Sequence, residues 1–183
     1  MKKEKEVIRK EIFKKLHAQE PEEASRKSAA IRKKLFADPG FKGAKVVMLY
    51  ASRDEEVDTW EIIDKALAMG KKVALPRCVS QAKVLPKEIT DTDTDLEKGT
   101  YSIYEPKGSK QSVEIEEIDL VVVPGVAYDK ENNRIGRGKG YYDKFLAGLP
   151  PRTATIGLAF DFQLLDKLPI DSHDIPVSKI ITN

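Results

Sequence analysis

A chain of 183 residues with 40% apolar and 34% charged side chains has the size and composition of one globular domain that buries roughly 70% of its unfolded surface, which excludes a disordered polypeptide. Its 32 Lys and Arg nearly cancel 30 Asp and Glu, and the net charge of +2 supplies no broad basic face for a nucleic-acid backbone, so small-molecule partners and no nucleic acid are expected. The lone Cys78 precludes an internal disulfide, and with no signal core and no apolar run of bilayer length the expectation is a cytoplasmic, membrane-free monomer.

Val7, Ile8, Ile12, Phe13 and Leu16 recur at helical spacing among Lys, Arg and Glu, predicting an amphipathic helix over residues 3–18. Pro21 at a first-turn position, Glu22, Glu23 and the series Ala24, Ile31, Leu35, Phe36 predict a second helix that stops near Asp38-Pro39-Gly40. Lys45 to Tyr50 is an apolar run too short for a helix and reads as a buried strand. Asp58 and Glu61 form a capping-box-like pair ahead of Ile62, Ile63, Ala66 and Leu67, with Gly70 as terminator. Lys72 to Leu75 repeats the strand signal and should end at Pro76, so residues 45–75 read as one βαβ unit of a parallel sheet.

From Gln81 to Glu117 the pattern weakens, and short apolar pieces at Val84-Leu85 and Tyr101-Ile103 suggest a small hairpin region with exposed loops. The Asp/Thr alternation of residues 91–95 lacks the glycine and closing glutamate of a calcium loop and reads as a solvated loop. Leu120 to Val123 is a strand ended by Pro124-Gly125. A loop to Gly140, a helix from Tyr141 to about Leu146 and a strand from Thr155 to Leu158 complete a second β-loop-α-β unit. A short helix is expected over Asp161 to Leu168 and a last strand over Lys179 to Thr182. No repeat or linker divides the chain, so residues 1–183 form a single domain.

The densest chemistry lies in Arg134-Ile135-Gly136-Arg137-Gly138-Lys139-Gly140-Tyr141-Tyr142-Asp143. Alternate glycines let backbone N–H groups converge on an anion that side chains would otherwise obstruct, and the cations complete a polyphosphate cradle. It is not a Walker A loop, because Gly140 follows Lys139 where Ser or Thr is needed, nor a dinucleotide fingerprint, because the glycines lie far from the strand end at Val123. Asp143 suits a helix dipole, but beside a polyphosphate it is the group that holds Mg²⁺. Tyr141 and Tyr142 start a helix on different faces, so at most one should be core while the other can stack on a ring or hydrogen-bond a substrate.

Lys5 and Arg9 share a helical face and on periodicity alone form a solvated cationic stripe. Glu55, Glu56 and Asp58 follow the first strand at the end where open α/β sheets place ligands; Asp58 is accounted for as a cap, Glu55 and Glu56 are not. His17 and His173 have no nucleophile beside them in sequence, which argues against a triad. Asp171, Ser172, His173 and Asp174 read as a turn, with a carboxylate reaching a metal as the alternative. Cys78 reads as a passive, partly buried thiol.

Pro124-Gly125-Val126-Ala127-Tyr128-Asp129 together with residues 134–143 resembles the long signature of the 5-formyltetrahydrofolate cyclo-ligases, also called methenyltetrahydrofolate synthetases. The likeness extends to Lys5-Glu6-Val7-Ile8-Arg9, with Ile8 for the family's leucine, and to Glu56-Val57-Asp58-Thr59. The resemblance implies a three-layer α/β sandwich with a mostly parallel central sheet, of the sugar-phosphate isomerase and CoA-transferase type. It implies a ligase of one-carbon metabolism that uses ATP and Mg²⁺ to convert 5-formyltetrahydrofolate to 5,10-methenyltetrahydrofolate, ADP and phosphate. ATP would meet Lys5, Arg9 and residues Arg134 through Tyr142; folate would meet Arg9, Ala51, Glu56 and Tyr142; and Asp143 and Asp174 would hold Mg²⁺. Lys139, Arg137 and Tyr142 would act in catalysis, Tyr142 by orienting the formyl group. Two other readings compete: a non-catalytic nucleotide- or RNA-binding module, motivated by the basic glycine loop and cationic first helix, and a small-molecule kinase on the same fold.

Overall fold

The computed structural model describes residues 1–80, 83–99 and 103–183; Gln81 and the apolar piece at Tyr101 lie outside them. The chain runs α1 (Lys2–His17), α2 (Pro21–Ala37), α3 (Pro39–Gly43), β1 (Val46–Met48), α4 (Trp60–Ala68), β2 (Lys72–Ser80), β3 (Lys83–Ile89), β4 (Leu96–Lys98) and β5 (Tyr104–Pro106). It continues β6 (Leu120–Val123), β7 (Ala127–Asp129), β8 (Arg134–Ile135), α5 (Tyr141–Ala147), β9 (Ala154–Ala159), β10 (Leu164–Leu165) and β11 (Lys179–Thr182).

The apolar runs build a six-stranded sheet ordered β11-β9-β6-β1-β2-β3, parallel except for the antiparallel edge pair β2–β3. Both expected crossover units are present, with α4 joining β1 to β2 and α5 lying between β6 and β9. Period-two alternation sends Val47, Val73, Leu75, Leu120 and Val122 to a face shared with Ile12, Ile31, Leu35 and Ile63, and Met48, Ala74, Val121 and Val123 to a face shared with Tyr128 and Leu146. A sheet buried on both faces is the middle of a three-layer sandwich, and all four residues of β6 are fully buried.

Several local expectations give way to tertiary contacts. Val7 is 55% exposed while Lys5 is 7% exposed, so the inward face of α1 runs through Lys5, Ile12 and Leu16, and the cationic stripe turns toward the protein. Asp38 does not simply end α2: extended, it accepts from Phe41 N at 3.1 Å and caps α3. The cap of α4 is Thr59, whose hydroxyl donates to Tyr50 O; Asp58 accepts from Trp60 N at 2.8 Å, and Glu61 pairs with Arg32 at 2.8 Å instead of closing a capping box. Strand β2 continues through Pro76, which faces Pro86; a non-hydrogen-bonded pair of an antiparallel ladder needs no N–H from either residue. In the 91–95 loop Asp95 is buried, accepting from Thr90 N at 2.7 Å and pairing with Lys110 at 2.8 Å, so the segment is a braced turn.

The loop expected between Gly125 and Gly140 contains the hairpin β7–β8, and the short helix expected at 161–168 is one 3-10 turn followed by β10, which pairs with β7. Asp129 organises both. Fully buried, it accepts from Glu131 N and Asn133 N at 2.9 Å and from Asn133 Nδ2 and Leu168 N at 3.0 Å. The hairpin thereby presents Arg134 and the glycine loop at the carboxyl end of the sheet.

Candidate active site

Three segments distant in sequence meet beyond the carboxyl ends of β1 and β6: the inward face of α1, the 50–59 loop and the glycine loop. Arg9 Nε donates to Gly136 O at 2.8 Å. Gly138 has φ +93°, and a Cβ there would lie 3.4 Å from the guanidinium carbon of Arg9, so backbone conformation and close approach both call for glycine. Gly140, at φ +69°, leads into α5. Ile135 is buried in β8 and anchors the loop from beneath, and Lys139 is exposed at its crown.

Arg137 connects this loop to the 50–59 loop. Its guanidinium reaches Glu56 at 2.7 Å and Glu55 at 2.8 Å and lies 5.0 Å from the ring centre of Phe13. Burial favours the neutral form of Glu55, but hydrogen bonding and attraction from Arg137 outweigh it and hold the carboxyl below the usual range. Glu56 is aimed by its own turn, accepting from Arg53 N at 3.1 Å, and Ser52 and Thr59 bond each other reciprocally at the neck of the loop. Ala51 is buried at that neck. The cleft bounded by Phe13, Tyr50, Glu56, Val126 and Arg137 is narrow, because the guanidinium of Arg137 lines it.

Along the same face of α1, one turn nearer its N-terminus, the acidic residues are paired with cations. Lys5 Nζ contacts Asp171 at 2.7 Å and also Asp174, while buried Arg134 contacts Asp143 Oδ1 at 2.7 Å. Ile175 N donates to Asp143 Oδ1 at 3.3 Å, so the two carboxylates expected to bind metal are neighbours. These hydrogen bonds fall on Oδ1 of Asp143 and on Oδ2 of Asp174, so each carboxylate keeps a second oxygen. Asp171, His173 and Asp174 place ligand atoms within 4.8 Å of one another. A hard cation that takes one or two carboxylates beside phosphate oxygens fits this donor set.

Both tyrosines pack against the cluster around Tyr128, but their surroundings differ. Tyr141 lines a groove against β3, whereas the hydroxyl of Tyr142, expected to orient substrate, is buried and without a hydrogen-bond partner among the described residues. Burial also pushes the Tyr142 phenol well up from its ordinary value. Glu55, Asp171 and Phe13 are the members of the site that sequence reasoning left unassigned. Glu55 was visible as a carboxylate without a capping role, and Asp171 as part of the polar tail; Phe13 looked like ordinary helix core. His17 stacks on Phe13 with centroids 6.2 Å apart, away from any nucleophile. Burial first, then Glu105, pushes the Cys78 thiol up to about 11, which keeps it protonated and passive at neutral pH.

Because Lys139 is exposed on a loop held by other residues, Lys139→Ala should melt within about 0.5 kcal/mol of the parent while ATP turnover falls sharply. A calorimetric scan beside a steady-state assay checks both halves.

The family model described as the 5-formyltetrahydrofolate cyclo-ligase family matches residues 1–183. The 5-formyltetrahydrofolate cyclo-ligase of Mus musculus is 30% identical over 187 residues, covering 97% of this chain and 92% of its own. That of Escherichia coli K12 is 30% identical over 166 residues, covering 88% and 91%. The NMR structure of Aquifex aeolicus 5,10-methenyltetrahydrofolate synthetase superposes with a TM-score of 0.86 at 33% identity, covering 97% of this chain and 89% of that one. The Mycoplasma pneumoniae 5,10-methenyltetrahydrofolate synthetase gives 0.79 at 26% identity, covering 97% and 98%. With sequence matched from end to end and the same sandwich in these relatives, the chain belongs to the 5-formyltetrahydrofolate cyclo-ligase family.

Proposed function

We propose that this cleft carries out ATP-dependent closure of 5-formyltetrahydrofolate to 5,10-methenyltetrahydrofolate with release of ADP and phosphate. An N-formyl amide is a poor electrophile, and its oxygen cannot leave as oxide when the neighbouring N10 amine attacks. Transfer of the γ-phosphoryl group forms a bond from phosphorus to the formyl oxygen, breaks the bond to ADP and leaves an iminium phosphate. N10 then bonds to the formyl carbon and gives up its proton. The carbon–oxygen bond breaks with its electron pair departing on inorganic phosphate, which leaves the methenyl bridge. The protein has to align the two substrates and neutralise developing charge, and no side-chain nucleophile is required.

The observation that carries this reading is the junction of Arg9, the glycine loop, Arg137 and the Glu55–Glu56 pair. Arg9, Arg137, Lys139 and the N–H groups from Gly136 to Gly140 receive the triphosphate, Lys5 faces it from α1, and buried Ile135 and Arg134 fix the loop from below. Glu56 accepts from the ring N–H donors of the pterin, and Ala51 leaves room beside it. Arg137 passes from the carboxylates to the phosphates as substrates arrive. The buried Tyr142 hydroxyl, which has no partner among the described residues, would orient the formyl group once bound substrate opens a path to it. Asp143 and Asp174 would hold Mg²⁺, which when bound screens the charge of the triphosphate. Among the described residues no helix is long and apolar enough to cross a membrane.

Purified protein given Mg²⁺, ATP and 5-formyltetrahydrofolate should release one ADP and one phosphate per molecule of product, with the near-ultraviolet absorption of the methenyl compound. Phosphate retained on the product would indicate a kinase, and no ADP at all would remove the reading.

A further inference from the structure

We propose that Tyr50 is a specificity-determining residue of the folate site, its hydroxyl donating to the 4-oxo group of the pterin beside Glu56; this rests on the folate reading above. Tyr50 follows β1 at the carboxyl end of the sheet, lines the cleft shared with Phe13, Glu56, Val126 and Arg137, and is only 6% exposed. Its hydroxyl has no hydrogen-bond partner among the described residues. A hydroxyl that gives up water without gaining a protein partner is costly to bury, and an acceptor on a bound ligand removes that cost.

The other polar side chains among the described residues lining this cleft are Glu56, Arg137 and Gln163, and their capacity is spent. Gln163 Nε2 donates to Val126 O at 3.0 Å while its Oε1 accepts from Phe160 N at 2.8 Å. Glu56 accepts from Arg137 through Oε1 and from Arg53 N through Oε2, and Arg137 is the cation that passes to the phosphates. Tyr50 is left as the unspent donor. A pterin presents its 2-amino group, N3–H and 4-oxo group in succession along one edge. The first two are donors and suit a carboxylate, whereas the third is an acceptor, so a ring that sets its N–H donors on Glu56 brings its 4-oxo group to the neighbouring position, where a donor is needed. Burial first, then the charge of Glu56, holds the Tyr50 phenol well above its ordinary value. The hydroxyl therefore keeps its proton and donates at neutral pH.

The test is Tyr50→Phe, which removes the hydroxyl and keeps the ring. KM for 5-formyltetrahydrofolate should rise about tenfold, with kcat and KM for ATP within about twofold of the parent. Calorimetric titration with 5-formyltetrahydrofolate and with its 4-amino counterpart, in which a donor replaces the 4-oxo acceptor, should show the preference for the 4-oxo compound falling about tenfold. A merely structural role would weaken both ligands alike. The melting temperature should be unchanged, because the hydroxyl removed has no partner to lose. An unaltered KM for the folate, or an unaltered preference between the two ligands, would overturn the assignment and leave ring closure standing. If the parent binds 5-formyltetrahydrofolate without turning it over, ring closure is overturned instead and the two titrations still decide Tyr50; a parent that binds neither compound overturns both.

Discussion

Asp143→Ala should lower the stability of the free protein by about 3–5 kcal/mol, well before any question of metal arises. The carboxylate lies 2.7 Å from Arg134, whose side chain is 2% exposed, and its own side chain is 19% exposed. Removing it leaves a guanidinium buried without its counter-charge, and Arg134 Nε already lacks a partner among the described residues. A buried pair is costly to break from one side but nearly neutral to replace from both, because desolvation and attraction largely offset each other. The double substitution Arg134→Met with Asp143→Leu should therefore recover most of the lost stability while remaining inactive. Urea denaturation of the three proteins checks the stability pattern, and Mg²⁺ dependence of turnover in Asp143→Asn, which keeps the shape of the side chain, checks the metal role separately. An Asp143→Ala protein as stable as its parent would show that Arg134 is not anchored by this carboxylate, and that the glycine loop is held in some other way.

The second large effect is expected at Gly157, in β9 between β6 and β11. A Cβ there would lie 2.4 Å from Cε1 of Tyr128, and one on Gly125 would lie 2.6 Å from the same ring. Tyr128 is fully buried and donates its hydroxyl to Val123 O at 2.8 Å, so the ring has no free direction in which to retreat. Gly157→Ala should cost about 3 kcal/mol through overpacking. Because Tyr128 pairs with Arg134 across the β7–β8 hairpin, the displaced ring should also disturb the approach to the glycine loop and raise KM for ATP. Tyr128→Leu made together with Gly157→Ala should cost less than the sum of the two single substitutions, since the smaller side chain vacates the clashing volume. Strict additivity in thermal melts would mean that the two positions do not compete for the same space.

Much of this architecture is readable in the chain. Lys45 to Tyr50, Lys72 to Leu75 and Leu120 to Val123 declare buried strands because short continuous apolar runs have few other uses, although β1 itself is only Val46–Met48. The helices between them declare themselves by apolar spacing. The hairpin β7–β8 escapes the same reading for a physical reason: strands of three and two residues are too short to show alternation, and their pairing depends on Asp129 gathering donors from as far away as Leu168. Strand β2 runs past Pro76 because a proline stops a strand only where an N–H is needed, and need is set by the register with β3.

The site divides in the same way. By itself the sequence marks residues 134–143 as a loop suited to phosphate, because three glycines at every second position among cations serve few other purposes. It also suggests no Ser or Cys partner for His17 or His173, which gives a nucleophilic triad little support. Only the tertiary structure decided which groups face that loop. Lys5 and Arg9 read as a solvated stripe until Asp171, Asp174 and Gly136, more than a hundred residues away, turn them inward. Tyr141 and Tyr142 are interchangeable in sequence, yet packing gives one to the groove and buries the hydroxyl of the other. Residue type and spacing set what a segment can bind, since both act within a few residues of the backbone. Partner choice depends on burial and on charges brought together by the fold, and those belong to the assembled sheet.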